Sequence, residues 1–169
     1  MPPSNSAAAY APGQVLDITR VFDAPRELVF KLWSAPEHLV RWWGPEGYHL
    51  SHCELDFRIG GSWRFCMQRG ADERHWIGGV YREVTPPSRL VFSYVGDTAG
   101  YDTLVEIDFI DLGERTEMRF RQAPFPDTAS RDSHNWGWSS TLGLLAAYLP
   151  RARGAAGKPV GEPRGPGRV

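Results

Sequence analysis

The sequence contains only two cysteines, Cys53 and Cys66, among its 169 residues. Because they do not form a Cys-x-x-Cys pair, they exclude both a disulfide framework and a zinc site of four cysteines. The five histidines are scattered along the chain and show no spacing typical of metal ligands. We therefore expect neither a metal site nor a cofactor, and other residues must carry the function.

Long apolar runs and an excess of one charge are also missing. No stretch approaches the roughly 18 apolar residues that a membrane span needs, and residues 1–13 lack the pattern of a secretion signal. The 19 basic residues are balanced by 20 acidic ones, which removes the attraction to phosphates on which nucleic-acid binding depends. We expect a cytoplasmic protein that binds neither membranes nor nucleic acids.

Both ends of the chain differ in composition from its middle. Residues 1–13 are rich in Pro, Ser and Ala, and residues 151–169 are dominated by Gly, Pro and Arg. Such segments do not bury a core, so we expect both of them to be disordered, the second as a basic tail. The stretch between them, residues 14–150, has the length of one domain with a substantial core.

A hydrophobic period of two predicts seven strands. The expected strands are residues 15–22, 48–57, 62–68, 75–84, 89–95, 103–110 and 115–121. The last six follow one another with short links, which is typical of an antiparallel meander. One sheet of seven strands must then bury one of its faces.

Helices are expected between the first two strands and after the last one. Asp23 is the expected N-cap of a first short helix, and Ser34-Ala35-Pro36-Glu37 has the form of a capping box that begins a second one. The second helix is expected to run to about Trp42. Apolar residues recur at helical spacing within residues 130–149, which predicts a long final helix. The buried face of that helix is expected to carry Trp138, Leu142, Leu145 and Leu149.

The hairpin around Gly60-Gly61 has a predictable register. A turn of two residues would place charges on the apolar face, so we expect a longer or bulged turn at Ile59-Gly60-Gly61. Phe57 then lies opposite Trp63, and Leu55 lies opposite Phe65. In the same register Cys53 faces Met67 and points inward, while Cys66 points outward, so both cysteines are expected to be reduced thiols.

Several motifs together resemble a known family. They are Phe22-Asp23-Ala24-Pro25, Arg41-Trp42-Trp43-Gly44-Pro45, Asp56-Phe57-Arg58-Ile59-Gly60-Gly61, Glu83-Val84-Thr85-Pro86-Pro87-Ser88-Arg89-Leu90-Val91-Phe92 and Gly137-Trp138. The family comprises stand-alone bacterial proteins homologous to the activator of the heat-shock protein 90 ATPase. The resemblance covers residues 15–149 and implies membership of the START-like, birch-pollen-allergen-like (SRPBCC) superfamily.

That superfamily has an α+β helix-grip fold, in which a curved seven-stranded antiparallel sheet wraps around a long C-terminal helix. It usually encloses a hydrophobic cavity, and the resemblance implies a similar cavity here. The candidate ligand-binding residues are those on the predicted inward faces: Trp63, Phe65, Tyr81, Phe92, Tyr94, Phe109, Met118, Phe120, Trp138 and Leu142. These side chains could line a site for a small hydrophobic molecule, or they could pack together and fill it.

Three functions fit this interpretation. The first is a non-enzymatic carrier of a small hydrophobic molecule. The second is a polyketide cyclase-like or hydrolytic enzyme with His75 and Tyr81 as catalytic candidates and His49 as a second choice of histidine. The third is a chaperone-interacting module, in which Trp42 or Trp43 contacts a partner. The same two indoles could instead cap the cavity mouth, or plain packing in the core could account for both. A homodimer is expected on general grounds only.

Overall fold

Seven strands and three α-helices make up the described part of the chain, residues 10–97 and 99–156 of a computed structural model. The strands are β1 (Leu16–Phe22), β2 (His49–Leu55), β3 (Ser62–Arg69), β4 (Glu73–Thr85), β5 (Arg89–Gly96), β6 (Asp102–Asp111) and β7 (Thr116–Ala123). They form one antiparallel sheet in the order β1-β7-β6-β5-β4-β3-β2. The α+β helix-grip arrangement is thereby confirmed.

The helices are α1 (Arg26–Lys31), α2 (Pro36–Leu39) and α3 (Thr128–Ala156), and a short 3₁₀ helix spans Pro12–Gln14. Helix α3 continues through Pro150, so it passes the expected domain end and includes residues 151–156. The rest of both expected tails, residues 1–9 and 157–169, lies outside the described residues. None of the described helices is long and apolar enough to cross a membrane.

The two expected helix caps are wrong. Pro25 is the N-cap of α1 and Ala35 is the N-cap of α2, and neither helix has a side-chain cap. The Ser34 hydroxyl instead donates to the Lys31 carbonyl at 2.6 Å. The Ser34 hydroxyl therefore pairs with a carbonyl of the last turn of the preceding helix, and Ala35 takes the N-cap position of the next one. Helix α2 also ends at Leu39, short of the expected Trp42.

The β2–β3 hairpin has the expected longer turn, but its register differs by two residues. Leu55 lies opposite Trp63, and Cys53 lies opposite Phe65. The turn is longer than expected because it docks on β4, where the Gly60 amide donates to the Tyr81 carbonyl at 2.8 Å. An even shift keeps the alternation of faces along both strands. Cys66, however, was expected to point outward and is buried, whereas Cys53 is only partly buried.

Two charged pairings and one steric constraint accompany this turn. Glu54 lies opposite Arg64, and the Asp56 carboxylate accepts from Arg58 Nε at 2.8 Å. A side chain at Gly61 would place its Cβ 1.9 Å from the Asp56 carbonyl oxygen. Only glycine therefore fits at position 61. Both cysteines are free thiols, as expected.

Helix α3 covers the concave face of the sheet with the predicted residues. Trp138, Leu142, Leu145 and Leu149 are all buried. Burial of such a continuous apolar stripe supplies most of the stability of a surface helix. The helix is therefore held against the sheet along the whole length of this stripe.

The segment that contains α1 and α2 adds three tryptophans to the same core. Trp33 contacts Trp42 edge to face, with 4.7 Å between the ring centroids, and Trp42 Nε1 donates to the Leu32 carbonyl at 3.0 Å. Trp42 and Trp43 are both buried, so plain packing of this pair is confirmed. Neither indole offers the exposed surface that the chaperone-contact interpretation requires.

Candidate functional site

A pocket of about 300 Å³ opens at one end of the space between the sheet and α3. Its sheet wall comes from the concave face, where Met67 lies opposite His75 in the β3–β4 pairing. Ile77 follows His75 on the same face because alternate residues of a strand share a face. This wall is therefore apolar in its depth and polar at its rim.

The helix wall consists of one face of α3. Its residues recur at three- and four-residue spacing. Those that line the pocket here are His134, Gly137, Trp138 and Thr141. Gly137 contributes no side chain, and a Cβ added there would lie 3.7 Å from Pro45 Cγ, which is ordinary contact. The missing side chain leaves room for the pocket at this level of the helix.

The floor is aromatic. Trp43 and Trp138 meet edge to face with ring centroids 5.1 Å apart, and Trp138 packs on Phe120 at 4.6 Å. Trp136 lines the mouth and is 63% exposed. The pocket thus has a fixed aromatic base and one solvent-exposed indole at its entrance.

A charged network lies at the rim. The Glu73 carboxylate accepts hydrogen bonds from the Tyr48 hydroxyl and, at 2.8 Å, from His75 Nε2. Arg69 Nη2 lies 2.7 Å from its other oxygen. These donors, His75 first, lower the pKa of Glu73 to about 2, so the carboxylate is ionised at neutral pH. The Glu73 carboxylate thus balances the positive charge of Arg69 and holds the His75 ring at the pocket edge.

Deeper in the pocket lie Tyr94 and His134. Burial raises the pKa of the Tyr94 hydroxyl and lowers the pKa of His134. Their rings meet edge to face with centroids 6.0 Å apart, and the His134 ring also packs on Phe125 at 4.9 Å. Both groups are therefore uncharged at pH 7.

A chain of buried hydrogen bonds holds this part of the pocket in place. Trp138 Nε1 donates to Gln122 Oε1, Gln122 Nε2 donates to Thr103 Oγ1, and the Thr103 hydroxyl donates to the Tyr94 carbonyl, each at 2.8 Å. The chain connects α3, β7, β6 and β5. It fixes the Trp138 indole relative to the strand that carries Tyr94.

Residues 23–150 match the family described as Activator of Hsp90 ATPase homolog 1-like protein. The chain belongs to this family. Among solved structures, a Chromobacterium violaceum protein is 28% identical with a TM-score of 0.71, covering 79% of this chain and 95% of that one. The AHSA1 protein of Silicibacter pomeroyi is 28% identical with a TM-score of 0.72, covering 80% of this chain and 97% of that one.

CalU16 of Micromonospora echinospora shares the fold, at 24% identity and a TM-score of 0.63 over 80% of this chain and 73% of that one. No curated protein matches this family member. Within residues 10–97 and 99–156, no group of three His, Cys, Asp or Glu side chains is placed to hold a metal ion.

Of the ligand-binding residues predicted from the sequence, Tyr94 and Trp138 line the pocket, and the candidate His75 joins them at its rim. The others lie in the packed part of the core: Trp63, Phe65, Tyr81, Phe92, Phe109, Met118, Phe120 and Leu142. There the interior void measures only about 10 Å³. The aromatic side chains of this family member thus fill one part of the interior and line another.

The catalytic pair considered from the sequence is not brought together. His75 and Tyr81 lie six positions apart on β4, which places them about 20 Å apart along the strand. Tyr81 is buried away from the pocket, and burial raises the pKa of its hydroxyl. His49 is exposed on β2, opposite Gln68. Only His75 of these three candidates reaches the pocket.

Sequence reasoning missed His134 and Gln122. His134 precedes Trp138 by four residues, so an extension of the predicted helix face toward the N-terminus indicates it. Gln122 follows Met118 and Phe120 in the period-two pattern, which places it on the inner face of β7. Trp43, considered from the sequence as a cap of the cavity mouth or as a core residue, lies in the pocket floor, and this position depends on how the segment between α2 and β2 packs.

Proposed function

We propose that this protein binds a small, largely apolar molecule in the pocket between α3 and the open end of the sheet. The observation that carries the proposal is a preformed opening of about 300 Å³ above the Trp43–Trp138 floor. Small-molecule sites are typically concave and apolar, with a few polar groups that orient the ligand, and their volumes begin near this value.

The lining supports this proposal in two ways. Its deep part is formed by Met67, Ile77 and the floor tryptophans. A molecule bound there would remove apolar surface of these side chains and of its own from water, which favours binding. Its floor is also held rigidly, because Trp138 is anchored to Gln122 at 2.8 Å. A rigid site loses little conformational freedom when a ligand binds.

A pair of glycine substitutions on α3 tests the proposal. Gly137 faces the pocket, whereas a Cβ at Gly143 meets no atom within 4 Å. Replacement of either glycine by leucine should stabilise the helix by about 0.8 kcal/mol. Gly137→Leu also places a side chain in the pocket, while Gly143→Leu is the matched control that leaves the pocket unchanged.

The probe is N-phenyl-1-naphthylamine, whose fluorescence rises in apolar sites. The wild-type protein and Gly143→Leu should bind it with the same Kd, and Gly137→Leu should bind it at least about tenfold more weakly, which corresponds to about 1.4 kcal/mol. Equal binding by all three proteins would place the probe elsewhere and overturn the proposal.

A further inference from the structure

Two polar groups of the pocket have hydrogen-bonding capacity that the described residues do not use. The Tyr94 side chain is 9% exposed, and within residues 10–97 and 99–156 no hydrogen bond reaches its hydroxyl. The same holds for His134 Nε2, because the His134 ring contacts the Ser130 carbonyl through Nδ1 at 3.0 Å. Both residues belong to the pocket lining, and polar groups in such a lining orient a bound ligand by pairing with it.

The contact with Ser130 decides the tautomer of His134. A carbonyl oxygen can only accept, so His134 Nδ1 carries the proton and donates it. Because burial lowers the pKa of His134, the ring is neutral at pH 7 and Nε2 is an acceptor. Burial raises the pKa of Tyr94, so its hydroxyl keeps its proton and is a donor.

The pocket therefore presents a donor and an acceptor side by side. The rings of Tyr94 and His134 meet edge to face with centroids 6.0 Å apart, so the two side chains are neighbours in the lining. A ligand oxygen that contacts both must accept a hydrogen bond from Tyr94 and donate one to His134. A hydroxyl group does both, whereas an ether or a carboxylate oxygen cannot donate and an ammonium group cannot accept.

The charges around the pocket act against an anionic ligand. The Asp97 side chain belongs to the lining, and no Lys or Arg lines the described pocket. Arg69 at the rim is already paired with Glu73 at 2.7 Å. A negatively charged ligand would lose its hydration without gaining a counter-ion.

We propose that the pocket selects a neutral aromatic ligand that carries a hydroxyl group, which accepts from the Tyr94 hydroxyl and donates to His134 Nε2. The aromatic body lies against Trp43 and Trp138, the two indoles of the floor. This inference rests on the proposed function and names the ligand class as phenols.

Three probes of similar shape separate the contributions of donor and acceptor. 2-Naphthol can both donate and accept, 2-methoxynaphthalene can only accept, and 2-methylnaphthalene can do neither. In the wild-type protein, 2-naphthol should bind about tenfold more tightly than 2-methylnaphthalene, since two net hydrogen bonds of ordinary strength correspond to about that ratio. The ether should lie between them, because it accepts from Tyr94 but gives nothing to His134.

Two variants each remove one of the two differences in affinity within this series of probes. Tyr94→Phe should make the ether and 2-methylnaphthalene bind equally, because the donor is lost. His134→Phe should make 2-naphthol and the ether bind equally, because the acceptor is lost. Tyr148→Phe, which removes a hydroxyl at the other end of α3, is the matched control and should preserve the whole series. Each variant is decisive alone, so failure of one to fold does not prevent the test.

The outcomes separate this inference from the proposed function. Equal Kd values for the three probes in the wild-type protein would overturn the hydroxyl assignment and leave the apolar pocket intact. Absence of binding by all three probes would overturn both proposals. An unchanged order in Tyr94→Phe would show that this hydroxyl does not contact the ligand, which also overturns the assignment.

Discussion

The space between the sheet and α3 has two ends that differ in packing. Toward α1 and α2 the interior is filled, and the remaining void is about 10 Å³. Toward the beginning of α3 it holds a pocket of about 300 Å³. Both ends are rich in aromatic side chains, so the number of aromatic residues does not distinguish a filled core from a lined site.

The difference comes from the segment between β1 and β2. It inserts Trp33 into the filled end, where the indole contacts the rings of Trp42, Phe92 and Phe109. At the open end the helix presents Gly137, which has no side chain. A single helix is too narrow to cover a seven-stranded sheet, and only one end has the additional residues that fill the remaining space.

The largest expected change in the free energy of unfolding follows from replacing the tryptophan at the filled end, and the tryptophan at the open end is its control. Trp33→Ala should lower the free energy of unfolding by about 3–5 kcal/mol, because it leaves a large cavity in the filled end. Trp33 Nε1 has no hydrogen-bond partner among the described residues, so the loss reflects packing alone. Trp136→Ala at the pocket mouth should change the free energy of unfolding by less than about 0.5 kcal/mol.

Urea denaturation measures both values. Similar losses in Trp33→Ala and Trp136→Ala would contradict the distinction between a filled and an open end. A loss below about 1 kcal/mol in Trp33→Ala would also show that the filled end is loosely packed.

An intermediate effect is expected where the two ends meet. Gln122→Leu removes the partner of Trp138 Nε1 and of the Thr103 hydroxyl at once, and this should cost about 2 kcal/mol. The same substitution at Gln68, which bonds to the Gly70 carbonyl in an exposed turn, is the control. There water replaces the lost bond, so the expected change is less than about 0.5 kcal/mol. Equal costs would contradict the buried chain.

The smallest expected change in stability is the one that pH produces through His134 at the open end. Burial holds the folded-state pKa of His134 below 6.5, so its contribution to stability is complete above pH 6.5. That contribution is lost as the pH falls through the folded value. Protonation also converts Nε2 into a donor, so the preference for 2-naphthol over 2-methoxynaphthalene should disappear over the same interval.

The other titratable residues of the pocket lining are Tyr48, His75, Tyr94, Asp97 and Tyr101. The probe preference is therefore measured in a His75→Gln variant, which lacks the other histidine of the pocket. A preference that persists once the His134 ring is protonated would contradict the role of Nε2 as an acceptor. Nuclear magnetic resonance of the His134 ring follows the protonation directly.

Periodicity alone predicted most of the fold. Alternation placed the seven strands within a few residues of their observed ends, and helical spacing identified Trp138, Leu142, Leu145 and Leu149 as the buried face of α3. These predictions succeeded because local patterns report which side of an element is buried. The caps at Asp23 and Ser34 failed because both helices begin later than the motifs indicate, with Pro25 and Ala35 at their N-caps.

The site was predicted less well. The sequence assigned ten side chains to one ligand-binding surface, and the structure divides them between a packed core and the pocket, where Tyr94 and Trp138 lie. A period-two pattern tells which face a residue occupies, but not how far along the sheet the neighbouring layer extends. The division depended on the path of the α1–α2 segment, which no local pattern contains.

The sequence by itself determined the order of elements, the inward faces and the free cysteines, because each of these follows from the spacing of a few neighbouring residues. Only the tertiary structure decided that Trp33 and Trp43 pack beneath the sheet, that Gln122 joins Trp138 to β6, and that Tyr94 and His134 share one pocket. Those contacts join residues far apart in the chain, and their existence depends on the volume left when all the elements have packed.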